Sequence, residues 1–85
     1  MNKHTSEILE HIKNSLELYE NGELNEEQLE LNLTGNINAI EEQNIKNQLN
    51  YFIPKIEESL FLYDSKQGKL FLLQEIKKLK DTLFK

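Results

Sequence analysis

The sequence contains no cysteine, which excludes disulfide bonds, thiol catalysis and thiolate metal sites. Arginine, valine and tryptophan are also absent, so all ten basic residues are lysines. No stretch approaches the roughly 18 apolar residues that a transmembrane helix needs, and the polar N-terminal region lacks the apolar centre of a signal peptide. We therefore expect a cytoplasmic protein with no stable membrane insertion.

Glycine and histidine are scarce, with three and two copies in 85 residues. No phosphate-binding loop is present, and no serine stands next to a base or in a glycine-rich elbow. The spacing of His4, Glu7 and His11 would suit a metal on one helix face, but we interpret them as exposed polar side chains. We expect no catalytic residue, no cofactor and no metal, and therefore not an enzyme.

The net charge of −5 is unevenly distributed along the chain. Residues 23–42 hold six glutamates and no lysine, whereas residues 64–85 hold six lysines and three acids. A general nucleic-acid binder needs clustered positive charge to contact phosphates. We therefore expect no nucleic-acid partner.

Apolar residues recur at helical spacing in four segments. The first spans about residues 5–21, with Thr5 or Ser6 as its N-cap and Gly22 after its end. The second begins with a capping box formed by Asn25 and Gln28. The stripes that we expect to be buried in these two segments are Ile8, Leu9, Ile12, Leu16 and Tyr19, and Leu29, Leu33, Ile37 and Ile40.

Three residues that disfavour helices complicate this pattern. Gly35 indicates either a close approach of another helix or a break, and we favour a continuous helix. Pro54 lies opposite the apolar stripe of the third segment, about residues 43–63, which we interpret as one bent helix. Gly68 ends the stretch SKQG, where a hairpin turn within residues 60–73 is the alternative to a fourth helix over about residues 69–84. The stripes expected in these segments are Ile45, Leu49, Phe52, Ile56, Leu60 and Tyr63, and Leu72, Leu73, Ile76, Leu79 and Leu83.

Short links at residues 22–25 and 64–68 make neighbouring helices antiparallel. The sequence therefore predicts an all-α fold, a small three- or four-helix up-down bundle that forms a single domain over residues 1–85.

Two surfaces are candidates for binding. The first is a polar ribbon on one flank of the second helix, interpreted either as a solvated face or as an acidic docking face. The second is on the third helix, where Tyr51 and Leu62 lie off the core face, either against a second neighbouring helix or as a partner patch. The ribbon comprises Glu27, Glu30, Thr34, Asn38, Glu41 and Glu42.

The stretch LYENGELNEEQLELNLTGNINAIEE resembles a class of small helical proteins from low-GC bacteria. In that class a tyrosine, a glycine three positions later and a leucine or isoleucine two positions after it lead into a helix with a recurring apolar run. The pattern also has a tryptophan in the third helix, where this chain has none and carries Pro54. The matching positions are Tyr19, Gly22, Leu24, Asn32, Leu33, Ile37, Ala39, Ile40 and Glu41.

The resemblance implies a four-helix protein similar to acidic immunity proteins of bacterial toxin systems. Our leading hypothesis is an immunity-type protein that neutralises a basic partner, such as a nuclease toxin, by stoichiometric contact through the ribbon, with Tyr51 as an apolar anchor. One alternative is a homo-oligomeric structural or regulatory bundle, such as a homodimer, that associates through Tyr51 and Leu62. Another is a membrane-peripheral bacteriocin immunity protein, suggested by the lysine-rich fourth segment.

Overall fold

The computed structural model describes residues 3–83. Four α-helices follow one another: α1 (Lys3–Glu20), α2 (Glu26–Asn38), α3 (Gln43–Phe61) and α4 (Ser65–Leu83). Each helix packs chiefly against its neighbours along the chain, which gives an up-down arrangement with dimensions of 39 × 22 × 21 Å. The predicted all-α fold is confirmed. Phe84, where the fourth helix was expected to end, lies outside the described residues.

The apolar stripes of the four helices meet in one core, as their helical spacing predicts. Leu60, Leu73 and Leu83 lie at its edge and are half-buried. The buried apolar side chains are Ile8, Leu9, Ile12, Leu16, Tyr19, Leu29, Leu33, Ile37, Ile40, Ile45, Leu49, Phe52, Ile56, Leu72, Ile76 and Leu79.

The predicted boundary between α1 and α2 is confirmed in detail. Gly22 has a positive φ of 82°, which ends α1 in the left-handed conformation that glycine adopts without strain. Its N–H donates to the carbonyl of Tyr19, and the N–H of Glu23 donates to that of Leu18, which together form a Schellman motif. Asn25 and Gln28 then exchange two hydrogen bonds of 2.9 Å, which is the capping box.

The predicted start of α1 is wrong. The helix begins at Lys3, so neither Thr5 nor Ser6 is an N-cap. Thr5 is fully buried because it extends the apolar stripe one turn towards the N-terminus, at three and four residues before Ile8 and Leu9. Threonine often occurs at N-caps, which is why we predicted a cap here, but it is also small enough to lie in a core.

The predicted boundary between α3 and α4 is also wrong. The carboxylate of Asp64 accepts a hydrogen bond of 2.8 Å from the N–H of Gln67, so α4 begins at Ser65 rather than near residue 69. The stretch SKQG is therefore the first turn of α4, and the hairpin alternative is wrong. Tyr63, predicted to be buried, lies beyond the end of α3 and is exposed, and its ring stacks on that of Phe71 with the two centroids 5.0 Å apart.

The helix α3 runs through Pro54 without interruption, as predicted. Proline has no N–H, so the carbonyl of Asn50 loses its partner one turn later in the helix. Pro54 and Asn50 are both exposed, which leaves that carbonyl accessible to water.

Two helical glycines have opposite surroundings. A Cβ atom at Gly68 would lie 3.2 Å from the carbonyl carbon of Ser59 and closer still to its oxygen, because α4 crosses α3 in direct backbone contact there. A Cβ atom at Gly35 would meet nothing within 4 Å among the described residues. The helix α2 runs through Gly35 without a break, as we favoured, but no other helix of the described chain approaches this position.

The two glycines predict opposite effects of one substitution. Gly68→Ala should lower the free energy of unfolding by about 1–3 kcal/mol, because α4 must move away from α3. Gly35→Ala should raise it by about 0.5–1 kcal/mol, because alanine restricts the unfolded chain and fits the helix. Urea unfolding followed by circular dichroism measures both, and a stabilised Gly68→Ala variant would contradict the crossing described here.

Candidate protein-binding surface

The helix α2 presents four polar residues of the predicted ribbon on one flank. Glu27, Glu30, Thr34 and Asn38 are spaced by three or four residues, which aligns them along the helix. Glu30 is half-buried and the other three are exposed. The capping box at Asn25 fixes where α2 begins and therefore which side of the helix these residues occupy.

Glu57 of α3 extends this flank across the boundary between two helices. Burial raises the pKa of Glu30, and the neighbouring Glu57 raises it further, by hydrogen bonding to the protonated form and by its negative charge, as does the charge of Glu27. The carboxyl groups of Glu30 and Glu57 therefore lie close together. We call Glu27, Glu30 and Glu57 the acidic cluster.

The lysines of the described chain do not neutralise the acidic cluster. The salt bridges within residues 3–83 join Lys55 to Glu58, Lys78 to Glu75 and Lys80 to Glu20. None of these pairs includes a cluster residue or Glu41. Because the cluster is at least partly exposed and has no cationic neighbour in salt-bridge contact, its field extends into solvent.

Glu41 and Glu42 lie at the opposite end of α2 from the acidic cluster. Glu41 is exposed in the link after α2, and Glu42 is the N-cap residue of α3, with an extended backbone. The 13 residues of α2 span about 20 Å, so these two carboxylates belong to a separate region. Asn38, at the end of α2, lies nearer to this second region.

Tyr51 and Leu62 are exposed, at 82% and 71%, but the structure does not bring them together with the acidic cluster. Tyr51 lies on the flank of α3 that faces α4. There it lines an open groove of about 310 Å³ with Lys55 of α3 and with Glu75 and Lys78 of α4. The helix α3 therefore carries two different surfaces, with Glu57 facing α2 and Tyr51 facing α4.

Sequence reasoning missed Glu57. The helical pattern of α2 alone shows only the residues of α2. The signal was the short link at residues 39–42, which makes α2 and α3 antiparallel and sets the first turns of α2 beside the last turns of α3. Glu57 is the carboxylate that this pairing brings to Glu30.

Tyr19 of α1 interacts with residues of α2 and α4 at the end of the bundle where α2 begins. Its ring lies 5.9 Å from Nζ of Lys69 on α4, which is a cation–π contact. Its hydroxyl is buried and has no hydrogen-bond partner within the described residues. Burial, together with the negative charge of Glu26 on α2, raises the pKa of this hydroxyl. Tyr19 is therefore a neutral core residue.

The remaining predicted features fall outside this surface. His4 and His11 are exposed on α1, and in residues 3–83 no three metal-binding side chains converge. Among the four helices, none has the length and apolar character needed to cross a membrane. A comparison of the chain with protein-family models, curated proteins and solved structures found no match.

The carboxyl pair predicts how stability depends on pH. The pKa of Glu30 is higher in the folded protein than in the unfolded chain, so the folded state binds more protons between these two values. The free energy of unfolding therefore falls as pH rises from the ordinary glutamate pKa through the raised one. Glu30→Gln removes the titrating group and its charge, so it should remove this fall and stabilise the protein at neutral pH.

Urea unfolding across about pH 4–8 measures this difference. Glu7→Gln is the matched control, because it removes a carboxylate from the exposed face near the far end of α1. The control should keep the pH dependence of the wild type. Parallel profiles for Glu30→Gln and the wild type would show that the Glu30–Glu57 pair has no influence on folding.

Proposed function

We propose that the protein is a toxin-neutralising, immunity-type binding protein that holds a basic protein partner in a stoichiometric complex. The observation that supports this most strongly is the acidic cluster, where carboxylates from two helices lie together without a lysine in salt-bridge contact. The sequence resemblance to acidic immunity proteins supports the same function.

Binding relieves a repulsion that the free protein carries. Burial raises the pKa of Glu30, and the like charges of Glu57 and Glu27 at short range raise it further because they disfavour ionisation. A lysine or arginine of the partner at this position replaces repulsion by attraction. The cluster also steers a cationic partner towards this end of the bundle and so accelerates encounter.

A nuclease toxin is the partner whose chemistry fits best. Nucleases bind phosphates through clustered positive charge. Carboxylates held side by side on α2 and α3 present negative charges that can occupy such a surface in place of a nucleic acid. The protein would then neutralise the toxin by covering its substrate-binding surface.

Two triple variants with the same change in net charge test the proposal. The first neutralises the acidic cluster, and the second neutralises three exposed carboxylates of α1. When the immobilised proteins are presented to extract from the cells that encode this chain, the first variant should lose a basic partner that the wild type and the second variant retain. The variants are Glu27→Gln, Glu30→Gln, Glu57→Gln and Glu7→Gln, Glu10→Gln, Glu17→Gln.

The captured protein then has to behave as a toxin. Its expression alone should arrest growth, and co-expression of the wild type, but not of the cluster variant, should restore growth. Equal capture by both variants would remove the cluster from the mechanism. A captured protein without toxicity would contradict the immunity function.

A homo-oligomeric bundle is the second candidate, because Tyr51 and Leu62 are exposed on the α4 side of α3. An isologous dimer through this flank would bury both side chains twice. Sedimentation velocity at micromolar concentration should then show a dimer for the wild type and a monomer for Tyr51→Ser. A monomeric wild type would reject this candidate.

A further inference from the structure

The flank of α3 that lies towards α4 carries one row of four solvent-accessible side chains. Tyr51, Lys55, Glu58 and Leu62 are spaced by four, three and four residues, so they align along about 16 Å of the helix. Leu62 belongs to this row because its backbone, at the C-cap of α3, still has helical dihedral angles. We call these four residues the outer row. An apolar side chain lies at each end of the outer row, with one charge of each sign between them.

The charges on this flank cancel in pairs. Lys55 lies 3.9 Å from Glu58 within the outer row, and Lys78 lies 3.5 Å from Glu75 on the adjoining surface of α4. A surface with this balance favours neither a basic nor an acidic partner. In this respect the flank differs from the acidic cluster on the other side of α3, which attracts one sign of charge.

The outer row is complementary to itself when a second copy of the chain runs antiparallel to the first. A two-fold axis that crosses α3 between residues 56 and 57 pairs positions that lie equally far from it on either side. It places Tyr51 of each copy against Leu62 of the other, and Lys55 of each copy against Glu58 of the other. Each apolar side chain then meets an apolar one, and each charge meets its opposite. A parallel arrangement would place each charge against its own copy and is disfavoured.

The groove beside Tyr51 offers a space for the opposing leucine. This groove of about 310 Å³ is open to solvent and is formed by both α3 and α4, with the buried side chains of Phe52 and Leu79 at its base. In the antiparallel arrangement, Leu62 of the second copy lies at the groove. Its insertion there would remove apolar surface of both copies from water.

The charge beyond the end of the outer row does not oppose this arrangement. Lys66, in the first turn of α4, follows Leu62 by four residues and is exposed. In the second copy, this end of the row lies beside the first turns of α3, where Asn44, Asn47 and Gln48 carry no charge. Lys66 therefore lies towards neutral amides rather than towards a like charge.

We infer that two copies of the protein associate through their outer rows into an antiparallel dimer with two-fold symmetry. In the dimer, Lys55 and Glu58 form salt bridges between the copies in place of the one within each helix. This inference rests on the homo-oligomeric candidate under the proposed function and adds to it the register and the paired residues. Because Glu57 faces α2 on the other flank of α3, the dimer leaves both acidic clusters accessible to a partner.

Charge reversals test the register, with the dissociation constant of the dimer measured by sedimentation equilibrium. Lys55→Glu and Glu58→Lys should each weaken the dimer by at least about tenfold, because each creates two like-charged pairs between the copies. The double variant with both changes should regain the wild-type dissociation constant, because every pair again has opposite charges. All these changes are at solvent-accessible positions, so circular dichroism should show intact helices in every variant.

Lys77→Glu is the matched control. Lys77 is exposed and follows Glu75 by two residues, so it lies on the opposite side of α4 from the groove. The control makes the same change in net charge as Lys55→Glu and should leave the dissociation constant unchanged. A control that weakens the dimer as much as Lys55→Glu would show that net charge, and not the outer row, governs association.

A mixture of the two single variants is the most specific test. One copy then carries two glutamates in its outer row and the other carries two lysines, so the antiparallel pairing gives two pairs of opposite charge. An equimolar mixture of Lys55→Glu and Glu58→Lys should form a heterodimer at concentrations where each variant alone is monomeric. A mixture that stays monomeric where the wild type dimerises would overturn the inference.

The failures of the inference and of the proposed function are distinguishable. If the wild type dimerises but neither charge reversal weakens the dimer, the register is wrong and the homo-oligomeric candidate stands. If the wild type is monomeric at every concentration, the inference and that candidate fail together. The immunity function is tested separately by capture of a basic partner, because neutralisation of the acidic cluster leaves the outer row intact.

Discussion

The backbone contact between Gly68 and Ser59 is the constraint on which the functional end of the molecule depends. Because Gly68 has no side chain, α4 approaches the carbonyl of Ser59 directly, immediately before the chain reverses. The hydroxyl of Ser59 donates to the carbonyl of Ile56, so it is satisfied within its own helix and leaves the crossing free. Only residues 62–64 then connect α3 to α4, and a link this short cannot fold its apolar side chains back into the core. The exposure of Leu62 and Tyr63 follows from this geometry.

The acidic cluster is a local conflict within an otherwise consistent fold. The stripes, the capping box and the Schellman motif all specify the same structure, as expected for a sequence that folds to one state. Glu30 and Glu57 oppose this structure, because their carboxyl groups lie close together at the boundary between α2 and α3. A leucine or a lysine at either position would avoid the repulsion. Such conflicts concentrate at functional sites, where stability is given up for binding.

The sequence predicted what a single helix determines. The apolar stripes and the cap at Asn25 follow from local spacing and local hydrogen bonding, and these predictions were confirmed except at Tyr63, which is exposed. Leu60, Leu73 and Leu83 are half-buried. The boundaries at Thr5 and Gly68 were misjudged, because a residue that often ends a helix can also serve packing. Both residues are buried for tertiary reasons that local propensity does not record. For the same reason, the sequence predicted only part of the site. Glu27 and Glu30 share a helix, but Glu57 comes close to them only through the packing of α3 on α2.

Charge and apolar burial have different physical roles in the proposed complex. Long-range attraction by the acidic cluster increases the rate of encounter, but exposed charge pairs contribute little once salt and water screen them. Burial of an exposed apolar side chain such as Phe61 has no influence at long range and slows dissociation once the partner has docked. A binding protein that must act before its partner causes damage needs both a fast encounter and a long residence. The acidic cluster serves the first requirement, and the exposed apolar side chains of α3 are available for the second.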